Sequence, residues 1–338
     1  MLKGLTPGRD VCQKRGPSVA EKARVNVPSD GSARDVVETR CGRGADAVRT
    51  PCNGPPVSFS GARRYPFRAG APDSDRPIHS FSMHWLLLRT PPLAGVENMA
   101  LDEALLERAR SANDAVFRVY TWAEPTLSFG RNQTARGTYD PERARERGVT
   151  VVRRLTGGRA LLHHREITYS VTAPLATGVS LRESYVRINR LLVDGLQRLG
   201  VAVDVAAPRE RAVAPSAAPC FERPAAGELV VNGRKLVGSA QWRDEGAMLQ
   251  HGSILIEDDQ PLVSAIAGNA VATPHPAATL SAALGRVPAV GEVADALFAS
   301  VRSVECSCAT ELTIDSTLEQ AMHRALDRYR DDEWTWRR

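Results

Sequence analysis

The sequence contains no apolar run near the roughly 18 residues that a membrane-spanning helix requires. Its N-terminus lacks the short apolar core of a secretory signal. No association with a membrane is therefore expected, and the expected location is cytoplasmic. Cysteine is scarce, at six in 338 residues: Cys12, Cys41, Cys52, Cys220, Cys306 and Cys308. No two have the CxxC spacing of a zinc site, so no metal is expected and reduced, free thiols are the simplest account. Cys306-Ser307-Cys308 is a CxC pair, a weak signal. Internal repeats are also missing. So is any strong charge over most of the chain. The formal net charge is +5, yet residues 1–82 hold 14 Lys/Arg against 8 Asp/Glu, leaving 30 basic against 31 acidic residues beyond them. The rest of the chain has no basic excess, and no nucleic-acid partner is expected.

What is present divides the chain in three. Residues 1–82 are rich in Gly, Pro, Ser, Arg and Asp without periodicity, a composition that cannot bury enough apolar surface to offset chain entropy. A disordered leader or a start-site artefact is expected there, with the native protein starting near Met83. From Met83 the pattern is that of a packed domain. Strands are expected at Trp85–Arg89, Ala115–Tyr120, Thr126–Phe129, Thr150–Leu155, Glu166–Ala173 and Ala247–Ile256. Val201, Val203 and Val205 alternate as in another. Helices are expected at Asn98–Arg110, with Leu101, Ala104, Leu105 and Ala109 inward, and at Tyr185–Leu199. Asn232-Gly233 joins two strand-like runs as a two-residue hairpin turn, because both residues tolerate positive φ. Beyond residue 260, Val290 to Val301 and Asp315 to Tyr329 are spaced as two helices. Strands with interspersed helices, then helices alone, give an α+β class with a mixed or antiparallel sheet, a catalytic domain over 83–260 and a C-terminal helical extension over 261–338.

Three segments could carry chemistry. In Arg153-Arg154-Leu155-Thr156-Gly157-Gly158-Arg159, a strand runs into a glycine turn, where backbone can approach a ligand closely and successive N–H groups can cradle an anion or a carbonyl. An ordinary hairpin turn has the same look. His163 and His164 follow, either as an acid–base pair or as packed and surface histidines. In Asn232–Gln241, alternation sets Lys235 on the face opposite Leu236. Its ammonium could hold a thioester oxyanion if that face meets the glycine turn, or could simply be solvated. Gly238-Ser239-Ala240 permits close backbone approach. Cys220 lies in an irregular Ala/Pro-rich loop. A loop thiol near a lysine favours ionisation, whereas buried structural cysteine is the common case for the residue type. Cysteine suits thioester chemistry, because thiol–thioester exchange conserves bond type and later transfer to an amine is downhill.

The blocks RRLTGGRALLHHREITYSV (153–171) and CFERPAAGELVVNGRKLVGSAQWRDEGAMLQHGSILIE (220–257) resemble the biotin/lipoate protein ligase superfamily, and best its Cys-dependent octanoyltransferase (LipM-type) group. The resemblance runs from about Met83 to RYRDDEWTW (328–336). It implies that superfamily's catalytic-domain fold. It also implies transfer of octanoyl from acyl carrier protein to a lysine of a lipoyl domain or glycine-cleavage H protein through a Cys acyl-enzyme. No bound cofactor is implied, since phosphopantetheine arrives on the donor, and a monomer is expected. Carried over, Cys220 is the acyl nucleophile and Lys235 the active-site lysine. Arg154, Thr156, Gly157, Gly158, Arg159, His163, Gly238, Ser239, Ala240, His251 and Gly252 are the substrate-binding positions. One departure stands out: His164 replaces the acid usual after the histidine, which leaves Glu166 as a possible partner for His163. The rival expectations are an ATP-dependent lipoate–protein ligase, an octanoyl amidotransferase between lipoyl domains, and a non-catalytic lipoyl-domain binder.

Overall fold

A computed structural model describes residues 83–175, 179–207, 220–221, 225–268, 271 and 273–337. Every described residue belongs to one compact unit. The expected leader lies outside the described residues.

Eight strands form one twisted sheet. In spatial order they are β11 (Thr310–Glu311), β1 (His84–Arg89), β2 (Asp114–Tyr120), β6 (Glu166–Pro174), β10 (Ala247–Leu255), β9 (Arg234–Asp244), β8 (Leu229–Val231) and β7 (Asp204–Val205). β11, β1 and β2 run parallel, and the pairs from β2 onward are antiparallel, so the sheet is mixed. A second sheet of three strands has β3 (Thr126–Phe129) between β4 (Thr150–Arg153) and β5 (Leu161–His163).

Alternation along the strands separates two cores. Trp85, Leu87, Phe117, Tyr169 and Val171 point to one face, where helices α3 (Leu181–Arg198) and α6 (Val290–Val304) bury Leu191, Leu192, Leu297 and Phe298. Leu86, Leu88 and Val116 point to the other, against α1 (Gly95–Ser111) and α7 (Ser316–Arg330). The small sheet lies on that second side with its own core around Leu127, Phe129 and Leu162. The caps follow the sequence: Ser180 and Glu183 form a capping box on α3, and Asp315 accepts from Leu318 N on α7. The Asn232-Gly233 turn has φ of 51° and 73°, as a two-residue hairpin joining β8 and β9 needs.

One expectation changes. The valine alternation at 201–205 yields a strand of only Asp204–Val205; Val201 and Val203 are buried, but Val205 is exposed at the sheet edge. The helices expected after residue 260 are present as α6 and α7; between them β11 pairs beside β1, and α7 covers α1. No helix among the described residues is long and apolar enough to cross a membrane.

Candidate active site

The glycine turn sits at the junction of the two sheets. Arg154 builds it. The guanidinium is buried and donates to Ser128 O and Oγ, both at 2.9 Å, to Gly157 O at 3.0 Å and to Arg159 O at 2.8 Å. The loop is therefore wrapped around a cation. Burial pulls the Arg154 pKa down to about 10, opposed by its interactions with Cys220 and Tyr139. The turn is also fixed from below: a Cβ at Gly130 would stand 2.0 Å from Gly158 O, and Gly158 has φ of +98°. Arg159 lies half-buried on the outgoing limb.

Two buried chains of hydrogen bonds end under this turn. In one, His163 Nδ1 is 3.1 Å from Glu166 Oε1 and Nε2 is 2.9 Å from Ser128 Oγ, with the ring stacked on Trp122 at 3.9 Å. In a neutral His163 with Nδ1–H on the Glu166 carboxylate, Nε2 accepts from Ser128 Oγ, which itself accepts from Arg154. Burial lowers the His163 pKa despite the opposing pull of Glu166. In the other, His251 Nε2 is 2.7 Å from Thr156 Oγ1 and Nδ1 is 3.2 Å from Asp102 Oδ2. Asp102 also accepts from Arg118, Tyr120 and Ser170. Burial raises the Asp102 pKa, but the hydrogen bond from His251 and the charge of Arg118 outweigh it and hold the carboxyl below its ordinary value. Arg154, Thr156, His163 and His251 are thus braces under the turn. His164 points away to the surface, where it meets Asp259.

Cys220 and Lys235 lie beside it. Cys220 is tied to the turn's outgoing strand through its backbone N–H to Ala160 O, at 3.0 Å. Lys235 is buried, and its Nζ donates to Cys220 O at 2.8 Å, Cys220 Sγ at 3.4 Å and Glu228 Oε1 at 2.7 Å. Burial alone would lower the Lys235 pKa; its interactions with Cys220 and Glu228 prevail and raise it above its ordinary value. Gly238 makes the room: a Cβ there would meet Lys235 Cε at 2.9 Å and Phe221 at 3.3 Å.

Strand alternation then sorts the remaining candidates. Gly238, Ala240 and His251 face the turn; Ala240 pairs with His251, and a Cβ on Gly158 would lie 3.9 Å from Ala240. Ser239 and Gly252 pair on the opposite face, where Ser239 Oγ is 2.7 Å from Tyr169 OH, on the side of α3. Glu228, Asp102, Arg118 and Ser128 belong to the site and were not among the residues singled out by sequence. Among the described residues, no cluster of three or more His, Cys, Asp or Glu could hold a metal ion.

This architecture, a mixed sheet with a smaller sheet whose glycine turn overhangs a buried lysine, defines the class. The family model described as Lipoyl protein ligase A/B catalytic domain matches residues 94–302, and the chain belongs to that family. Among its relatives, Octanoyltransferase LipM of Kyrpidia tusciae is 46% identical over 191 residues, covering 54% of this chain and 69% of that protein. Octanoyltransferase LipM of an Exiguobacterium species is 35% identical over 272 residues, covering 75% of this chain and 98% of that one. A solved bi-partite lipoate protein ligase from Thermoplasma acidophilum shares the fold, with a TM-score of 0.61, 20% identity, and coverage of 75% and 96%.

Proposed function

We propose that the protein is an octanoyltransferase of lipoate biosynthesis that moves octanoyl from acyl carrier protein to a lysine of a lipoyl-accepting protein, such as glycine-cleavage H protein, through Cys220. The observation that carries this reading is the Lys235 ammonium 3.4 Å from the Cys220 sulfur, beside a braced glycine turn. Relatives named as octanoyltransferases at 46% and 35% identity support the same acyl group. The Cys220 thiolate attacks the donor thioester, the carrier's pantetheine thiol leaves, and Lys235 holds the carbonyl oxygen as it gains charge. The acceptor amine then attacks the Cys220 thioester, its carbon–sulfur bond breaks, and an amide forms. Burying the acyl chain contributes roughly 0.8 kcal/mol per methylene, enough to discriminate chain length. A reduced thiol as nucleophile fits a cytoplasmic enzyme.

The test is the intact mass of the protein after mixing with octanoyl-acyl carrier protein without ATP, beside Cys220→Ala. A hydroxylamine-labile octanoyl adduct on the wild type alone, chased onto apo H protein, is expected. No adduct, with transfer of octanoate or lipoate once ATP is added, would replace this reading with a ligase.

A further inference from the structure

We propose that Glu228 is a positioning residue that holds Lys235 as an ammonium whatever the charge on Cys220, so that Lys235 donates to the carbonyl oxygen in both half-reactions and never serves as the base. This rests on the acyl-transfer reading for the reaction, but its central claim concerns the charge and aim of one side chain.

A lysine ammonium has three N–H groups. Here three acceptors meet Nζ: Glu228 Oε1 at 2.7 Å, Cys220 O at 2.8 Å and Cys220 Sγ at 3.4 Å. The two short bonds are to oxygens that the reaction leaves untouched. The long one is to the reacting sulfur. When the sulfur becomes a neutral thioester it ceases to be a good acceptor, and the N–H aimed at it is free for the adjoining carbonyl oxygen. The two fixed bonds therefore aim the third donor.

Charge is the second part. The groups around Nζ are Cys220 from the loop, Glu228 from the segment entering β8, Tyr185 from α3 and, acting through Cys220, Arg154. The Phe221 ring lies 4.8 Å from Nζ and offers a weaker cationic contact. Once acylated, Cys220 can carry no charge. A buried amine with no counter-charge would lose its proton. Glu228 is the carboxylate that remains, in direct contact, and its other oxygen is secured by Ala225 N at 2.7 Å. With Lys235 protonated throughout, the amine's proton passes to the departing Cys220 sulfur, which regenerates the thiol and balances the second half-reaction.

The chain offers a direct readout, because its lysines are Lys3, Lys14, Lys22 and Lys235. The full-length protein labelled with ¹³C at lysine Cε gives four signals, and Lys235→Arg identifies the fourth. On titration to pH 10, the Lys235 signal is expected to stay in its protonated position in the wild type and in Cys220→Ser, which carries a neutral atom in place of the thiolate. In Glu228→Gln in the Cys220→Ser background it is expected to titrate at least one unit lower, with Glu228→Asp between. The rate of octanoyl transfer to the acceptor should gain a matching basic limb in Glu228→Gln, with about tenfold loss at the upper end. Titration of Lys235 below pH 10 in Cys220→Ser alone, or an unshifted signal in the double variant, overturns the proposal. If the Gln variants do not fold, the Cys220→Ser arm and Glu228→Asp decide it. Absence of a Cys220 adduct in the mass experiment sinks the acyl-transfer reading alone; the titration judges Glu228 by itself.

Discussion

At the scale of single residues, the site is a small set of reactive atoms on a larger set of buried polar supports. His163 shows how such a support couples to pH. Its folded-state pKa lies below the ordinary value of about 6.5, chiefly through burial. The unfolded chain therefore binds a proton that the folded chain refuses, and stability present above pH 6.5 is lost as pH falls toward the folded value. A lower urea midpoint at pH 5.5 than at pH 7.5 is expected, with a smaller difference in His163→Gln. Equal midpoints in the wild type would count against a neutral, braced His163. Cys220 and Lys235 were legible as residues of interest from their types and setting. Their partners were less so. Asp102 lies 149 positions from His251, and the only local hint is an acid on the inward stripe of α1, between Leu101 and Leu105. For Glu228 a signal existed. The Asn232-Gly233 turn sets Val230 opposite Lys235, which leaves Glu228 two residues along on the same side, a diagonal neighbour.

At the scale of elements, the turn is where geometry matters most. Gly130 has no space for a side chain, since a methyl would press 2.0 Å from Gly158 O. Gly130→Ala is expected to push the turn outward by an ångström or so and slow acylation of Cys220 by about 100-fold, with little change in melting temperature. Single-turnover mass kinetics would measure this, and a rate within threefold of wild type would show the turn to be dispensable. Helices with a strong apolar stripe, α3, α6 and α7, were legible, as was the hairpin; α1, buried on most of its sides, showed through its Leu and Ala content instead. Short elements were not. The helices Pro141–Glu146, Pro261–Ala267 and Asp332–Trp336 span at most two turns, too few residues for a 3.6-residue period to declare itself. β11 is two residues long and gains its identity only by pairing with β1, more than 200 positions away.

At the scale of the whole unit, the C-terminal residues hold the active-site strand from behind. Arg153, at the end of β4, is buried and donates to Thr335 O at 2.9 Å, Arg337 O at 2.8 Å and Gly130 O at 2.6 Å, while Trp334 Nε1 returns a bond to Arg153 O at 2.9 Å. Removal of residues 334–338 leaves that cation short of acceptors, at about 1.5–3 kcal/mol for each charged hydrogen bond lost. The melting temperature is expected to fall by about 10 °C, and acylation to slow. Calorimetry together with the mass assay would check both; an unchanged melting temperature would mean that water replaces those carbonyls freely.

The same bond to the rear has a meaning in time. Chains are made from the N-terminus, so Cys220 and Lys235 leave the ribosome well before Trp334, Thr335 and Arg337 do. A chain arrested in between already carries both residues, and Arg153 can hold Gly130 O and Gln133 O, but the carbonyls of Trp334, Thr335 and Arg337 have yet to join them. Full bracing of the strand behind the turn is thus the last part of the unit to be completed as the chain is made.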